Sequence, residues 1–192
     1  ASSPGLLERL EGVLVTDIVV ASDGSIAAAG LSEPKPIAEG VFSYRELWVG
    51  TFTPDGALRW SETRPRADEM AAAEPTGVSV GEDGAVFVSF VDWLDPAAGS
   101  RISKYDAQGV LLWDTPVGNR PYDVAALGSG GAVTVGVTLS TDVSNAVQGW
   151  VQLIDPDGGL AGAGAWVNAE GRNSVLNAVV VSPGDELILA GG

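Results

Sequence analysis

Short apolar runs separated by glycine-containing turns recur along the whole chain, and two kinds alternate. The first kind places two apolar runs around a turn. It spans Ile18 to Ala27, Val78 to Val88, Val124 to Val135 and Val179 to Leu189. The second kind has polar and apolar residues alternating with period two before its turn, and usually an aromatic residue closing the strand after it. It spans Trp48 to Trp60, Ile102 to Trp113 and Trp150 to Leu160. Period-two alternation broken by Asp-Gly or Gly-Gly is the pattern of a β-hairpin, and such pairs suit the positive φ angles of a type I′ turn.

Two hairpins in each unit of roughly 50 residues make a four-stranded antiparallel sheet, with strands A to D in order. Tandem sheets of this kind predict an all-β chain, a β-propeller of four-stranded blades. The boundaries fall at residues 15–66, 67–118 and 119–174 for three full blades. Residues 1–14 read as strand D of a preceding blade, because Pro4 to Leu10 lines up with Asp55 to Trp60. Residues 175–192 read as the A–B hairpin of a further blade. That is an incomplete ring, to be closed by a longer chain, a second copy or another chain, with a longer polypeptide preferred. A β-sandwich is the rival architecture, but it does not require the same two-hairpin text to repeat in order.

The pattern around Ile18 to Gly30 and Trp48 to Trp60 resembles the bacterial secreted propeller repeats of the SBBP-like and quinoprotein-like kinds. The resemblance covers nearly the whole chain and implies a fold and a secreted, periplasmic or cell-surface home in a bacterium. It implies no activity. The third copy departs from the pattern, because Gly159-Leu160-Ala161-Gly162 follows its turn with no aromatic residue.

Composition narrows the chemistry. The 192 residues include 45% hydrophobic residues and 26 glycines, which suits short strands and tight turns. A formal net charge of -15 with only 10 Lys and Arg leaves no basic stripe, so nucleic acid is not an expected partner. No apolar run approaches the roughly 18 residues of a membrane-crossing helix, so membrane insertion is not expected. The sequence has no Cys and no His. An imidazole-dependent triad and a thiolate or imidazole metal site therefore have no ligands to draw on, and no cofactor is expected. The chain opens on Ala1 without a signal-type apolar segment, which reads as processing or as a piece of a longer product.

In a blade of this kind the A–B and C–D turns lie at one end and the longer B–C and D–A connections at the other. The long connections are the expected binding face. On them stand Arg64, Arg66, Asp92, Trp93, Asp95, Arg120, Tyr122, Glu170 and Arg172. Asp92 and Asp95 flank Trp93 in a manner that suits a sugar-stacking ring beside carboxylates, although glycosidase carboxylates generally come from separate elements. Asp155 and Asp157 resemble the start of a calcium loop, but the residues that follow lack its later oxygen donors, and a hairpin turn explains them equally. Trp48, Trp60, Trp113 and Trp150 recur at strand positions and read as blade-packing residues. The resulting expectation is a non-catalytic scaffold or recognition domain for a protein or carbohydrate ligand. Two alternatives stand beside it: part of an extracellular polysaccharide-acting or quinone-dependent enzyme whose active residues lie in other blades, and a structural subunit completed by another chain.

Overall fold

Sixteen strands are defined in the computed structural model, which describes residues 12–33, 36–38, 41–42, 46–64, 73–92, 100–139, 147–167 and 173–192. In chain order, β1 (Val13–Val20) and β2 (Ile26–Ser32) form a hairpin, and β3 (Pro36–Ala38) and β4 (Val41–Phe42) form a separate short ribbon. Then β5 (Leu47–Phe52) and β6 (Leu58–Arg64) join the first pair, giving one sheet in the order β1-β2-β5-β6. A second sheet runs β7 (Ala73–Val80), β8 (Val86–Asp92), β9 (Ser100–Tyr105), β10 (Leu111–Pro116). A third runs β11 (Arg120–Ala126), β12 (Ala132–Leu139), β13 (Val147–Ile154), β14 (Leu160–Val167). Finally, β15 (Leu176–Val181) and β16 (Leu187–Gly191) make a two-stranded sheet. All pairings are antiparallel, and within each sheet they join strands consecutive in the chain except β2 with β5, between which the β3–β4 ribbon is inserted. Sheets that stack in series, each with its first strand innermost, make a part ring of a β-propeller and leave no place for a two-layer sandwich.

The core lies between sheets. Ala27, Leu47 and Val49 of the first sheet pack on Val78, Val86, Val88 and Tyr105 of the second. Phe87 and Ile102 of the second pack on Val124, Ala132 and Trp150 of the third, and Val133 and Val135 of the third pack on Leu176 and Val179. Alternate residues of each middle strand therefore face different neighbours and both faces are buried, as in the fully buried β5. The outermost strands, β6 and β10, are largely exposed.

Sequence expectation and structure part at the turns. Only the last turn residue has positive φ, as at Gly24 (φ 81°) and Gly84 (φ 77°), whereas a type I′ turn needs two. The hydrogen bonds Gly24 N to Ala21 O and Ala21 N to Ser25 O define a type I turn followed by a G1 bulge. The same pair of bonds recurs at Thr53, Gly81, Asp106, Leu127, Asp155 and Ser182. In the third sheet Gly130 (φ 86°) holds this position, and in the last hairpin Asp185 (φ 58°) holds it. Of residues 1–14, expected as strand D of a preceding blade, Val13 and Leu14 belong to β1, opposite Ser32 and Leu31, and residues 1–11 lie outside the described residues.

The tryptophans explain how adjacent blades are tied. Trp60 donates its indole N–H to the Ala107 carbonyl of the next blade at 3.0 Å, and Trp113 donates to the Pro156 carbonyl at 2.9 Å. Each ring lies on a turn glycine of that blade: a β-carbon on Gly109 would stand 2.7 Å from Trp60, and one on Gly158 would stand 2.8 Å from Trp113. Trp150 is buried in the joint between the second and third sheets, and Trp48 is buried against Ala28 and Phe52 of its own sheet. At the equivalent place in the third sheet stands Gly162 (φ 72°), yet β14 still pairs with β13 through an irregular register between Val151 and Leu153.

Candidate functional site

Of the residues named for the long-connection face, Arg66, Trp93, Asp95, Glu170 and Arg172 lie outside the described residues. Asp92 closes β8, its backbone opposite Ala73. Arg120 and Tyr122 are two apart on β11, and the Arg120 guanidinium lies 5.3 Å from the Tyr122 ring centre, a cation–π contact.

Arg64 sits at the last position of β6 and crosses to the second sheet. One guanidinium nitrogen donates to Ser103 Oγ at 2.9 Å and another to Asp114 Oδ2. Arg101 donates from Nε to the same carboxylate oxygen at 2.8 Å and from Nη2 to the Asp114 carbonyl at 2.9 Å. Ser103 Oγ donates to Asp114 Oδ1 at 2.8 Å. The Arg64 guanidinium also lies 5.8 Å from the Phe90 ring centre. Burial pushes the Asp114 carboxyl up, but the hydrogen bonds from Arg64 and Ser103 and the charges of Arg64 and Arg101 outweigh it and leave the group below its ordinary range. Burial pushes the nearby Tyr105 phenol up, partly offset by the Arg64 charge. Arg64 is thus engaged in a clamp between two blades.

Two acidic residues that the sequence pattern did not single out stand on the inner strands. Asp17 Oδ1 accepts the N–H of Ile18 at 2.9 Å, and its Oδ2 accepts the N–H of Val78 in the next sheet at 2.7 Å. Asp123 repeats the arrangement, taking Val124 N at 2.8 Å and Val179 N at 2.9 Å. Both follow a β-bulge in strand A, which turns the side chain sideways toward the following sheet. Burial raises the Asp123 carboxyl, the two N–H donors oppose that, and the charge of Asp17 adds to the rise. The legible signal was a carboxylate inside an apolar strand, a place that demands a partner.

Two cavities open at the short-turn end. One, of about 270 Å³, lies where four inner strands converge, with Val20, Val80, Ala126 and Val181 below and Glu82 and Asp185 at its edge. The other, of about 260 Å³, lies between the first two sheets and is lined by Asp23, Ser25, Thr51, Arg59, Glu82 and Asp83. The Thr51 hydroxyl is buried and makes no hydrogen bond among the described residues. Asp155 and Asp157 sit in the ordinary turn, with Gly158 N bonded to Asp155 O at 2.9 Å. Among the described residues no three His, Cys, Asp or Glu side chains are grouped to hold a metal ion. In the second cavity Ser25 Oγ donates to Asp23 Oδ1 at 2.6 Å, and Arg59 stands 3.9 Å from Asp23 Oδ2.

No protein-family model matches the chain, and no curated protein is similar to it in sequence. Solved structures are similar in fold. A Bacteroides caccae protein of unknown function superposes with a TM-score of 0.52 at 15% identity, over 94% of this chain and 54% of that one. A Synechocystis apocarotenoid oxygenase superposes with a TM-score of 0.52 at 16% identity, over 85% of this chain and 41% of that one. The chain therefore spans about half the length of these structures or less, and at such identities what they share with it is the propeller-like fold.

Proposed function

We propose that this chain is a rigid, non-catalytic recognition scaffold within a secreted or surface-exposed bacterial propeller protein of the SBBP-like or quinoprotein-like repeat kind. Its contact surface is the face of the long B–C and D–A connections. One observation carries the reading: three half-buried carboxylates are engaged in holding blades together. Asp17 and Asp123 bind backbone N–H groups of the following blade, and Asp114 binds Arg64 of the preceding one. Groups so engaged stiffen a platform and are not poised for proton transfer or attack.

The test is a screen of the immobilised protein against glycan and peptide arrays, run beside polysaccharide-hydrolysis and quinone-dependent dehydrogenase assays. Binding without turnover is expected, weakened at least tenfold by joint reversal of Arg66, Arg120 and Arg172 to Glu. Turnover by the chain itself would overturn the non-catalytic reading. Binding that ignores those charges but is lost on Val80→Trp would move the surface to the opposite end.

A further inference from the structure

Equivalent positions fill the first and second joints between sheets differently. Cross-strand neighbours Ala27 and Thr51 of the first sheet correspond to Phe87 and Lys104 of the second. At the joint between the second and third sheets Lys104 is only 6% exposed. Its Nζ donates to the Gly130 carbonyl in the turn of the third sheet at 2.7 Å and lies 5.2 Å from the Phe87 ring centre. The joint between the first and second sheets has a methyl group and a short hydroxyl side chain at those two places, and the cavity of about 260 Å³ opens there. Thr51 lines it and is 7% exposed, and its hydroxyl makes no hydrogen bond among the described residues. Gly84, the counterpart of Gly130 in its turn, lines the same cavity.

The receiving turn changes together with the side chain that reaches it. Gly128-Ser129 precedes Gly130 where the protein supplies Lys104, and Glu82-Asp83 precedes Gly84 where it does not. Asp23, from the turn of the first sheet, lines the cavity too, and hydrogen bonds from Ser25 hold its carboxyl below the ordinary range. Three carboxylates thus meet one guanidinium, that of Arg59. A surplus of negative charge around a buried hydroxyl and a turn carbonyl selects a cation bearing N–H donors. The Lys104 joint supplies its form, a four-carbon chain ending in an ammonium. We propose that the cavity binds a short alkyl diamine. One ammonium takes the place that Lys104 Nζ holds in the next joint, donating to Gly84 O and Thr51 Oγ, and the other pairs with the carboxylates of the two turns. The carboxylates outnumber Arg59 by two charges, which favours a free dication over the single ammonium of a lysine side chain. Both walls are four-stranded sheets of this chain, and the site involves neither of its ends nor the long-connection face.

The experiment is isothermal titration calorimetry of 1,4-diaminobutane into the 192-residue chain at low ionic strength. One site is expected, weakening as salt is added. n-Butylamine should bind at least tenfold more weakly, and 1,4-butanediol should not bind. Thr51→Lys places the chain's own ammonium in the cavity and should abolish binding with unchanged far-UV circular dichroism. Glu82→Gly with Asp83→Ser gives this turn the residues of the third sheet's turn and should weaken binding at least tenfold; it decides the matter in the same way should Thr51→Lys fail to fold. Asp157→Asn, on an exposed turn outside the cavity, should change nothing. No binding by the wild type would overturn the proposal. So would binding retained in the Thr51→Lys and turn variants, or an equal loss with Asp157→Asn, because both mark general attraction to an acidic chain. Equal affinity for 1,4-butanediol would refute the choice of a cation, and tighter binding of Nα-acetyl-lysine methylamide would refute the free diamine. Glycan and peptide binding by the long-connection face is read on the arrays, so either result can fail without the other.

Discussion

The Trp60–Gly109 contact makes a quantitative statement about what ties one blade to the next. Gly109 has φ 87°, so Ala there enters the left-handed region at about 1–2 kcal/mol. Its β-carbon would also stand 2.7–3.0 Å from three atoms of the Trp60 ring. That ring cannot swing away freely, because its N–H is bonded to Ala107 O and its centre lies 5.9 Å from the Tyr105 ring. Overpacking of this sort adds about 1–3 kcal/mol, so Gly109→Ala should cost about 2–5 kcal/mol. Gly118 is the internal standard: it has φ 69° with no atom within 4 Å of an added β-carbon, so Gly118→Ala should cost about 1–2 kcal/mol. Trp60→Ala forfeits a hydrogen bond, a ring contact and partly buried area, about 2–4 kcal/mol in all. The double variant has no ring for the new methyl to strike, so it should be more stable than the sum of the singles predicts, by about 1–3 kcal/mol. Urea unfolding followed by far-UV circular dichroism measures all four proteins without depending on indole fluorescence. Additivity within about 0.5 kcal/mol, or a Gly109→Ala cost no larger than that of Gly118→Ala, would refute the claim that the ring and the glycine form one contact.

Other perturbations test the remaining ties. Asp114→Ala leaves Arg64 and Arg101 facing each other without their shared carboxylate and should destabilise by about 3 kcal/mol in the same urea assay, reading as a fall in midpoint with little change in slope. The Asp114 carboxyl is held below its ordinary value of 3.8, so its contribution is complete above that pH and is lost as pH falls through the folded value. Melting temperatures taken at descending pH should therefore drop less steeply for Asp114→Asn than for the wild type, and parallel curves would contradict the assignment. Asp123→Ala strips acceptors from the N–H groups of Val124 and Val179, and hydrogen exchange at Val179 should accelerate at least tenfold; unchanged protection would mean that the carboxylate does not hold that strand.

Much of this fold was legible because its period is imposed by hairpins, and hairpins write themselves as glycine turns between alternating strands. The blade-packing role of Trp60 and Trp113 followed from their recurrence after the turn. What failed was local backbone detail. Asp-Gly suggests a type I′ turn when only neighbouring residues are weighed, but the turns actually used keep Asp23 at negative φ, where Asp23 Oδ1 accepts the N–H of Ser25 at 2.8 Å. In the Ser182 turn Asp185 takes the left-handed position and accepts Gly128 N with its carboxylate at 2.8 Å. Arg64 was read as a residue of the long D–A connection, whereas it ends β6 and serves as a clamp. Its partner Asp114 is 50 residues away and belongs to the next unit, and spacing within one repeat carries no information about it.

The inner carboxylates show how repeats that share a backbone diverge where neighbours meet. The strand A position just beyond the bulge is Asp17, Gly77, Asp123 and Ala178 in the four successive sheets. A β-carbon on Gly77 would lie 2.7 Å from Asp123 Oδ1, so the second sheet makes room for the carboxylate of the third. Asp17 reaches into that same second sheet through Val78 N, and its charge already raises the Asp123 carboxyl. A third carboxylate at position 77 would stand between these two in a setting where burial has removed water, and like charges there are costly. The alternation of acidic and small residues follows from these two limits, steric at Gly77 and electrostatic between Asp17 and Asp123. A carboxylate tie can serve every second inner strand, and the intervening joint must use a neutral one. Ser79, which accepts Ala126 N between the second and third sheets, is that neutral tie.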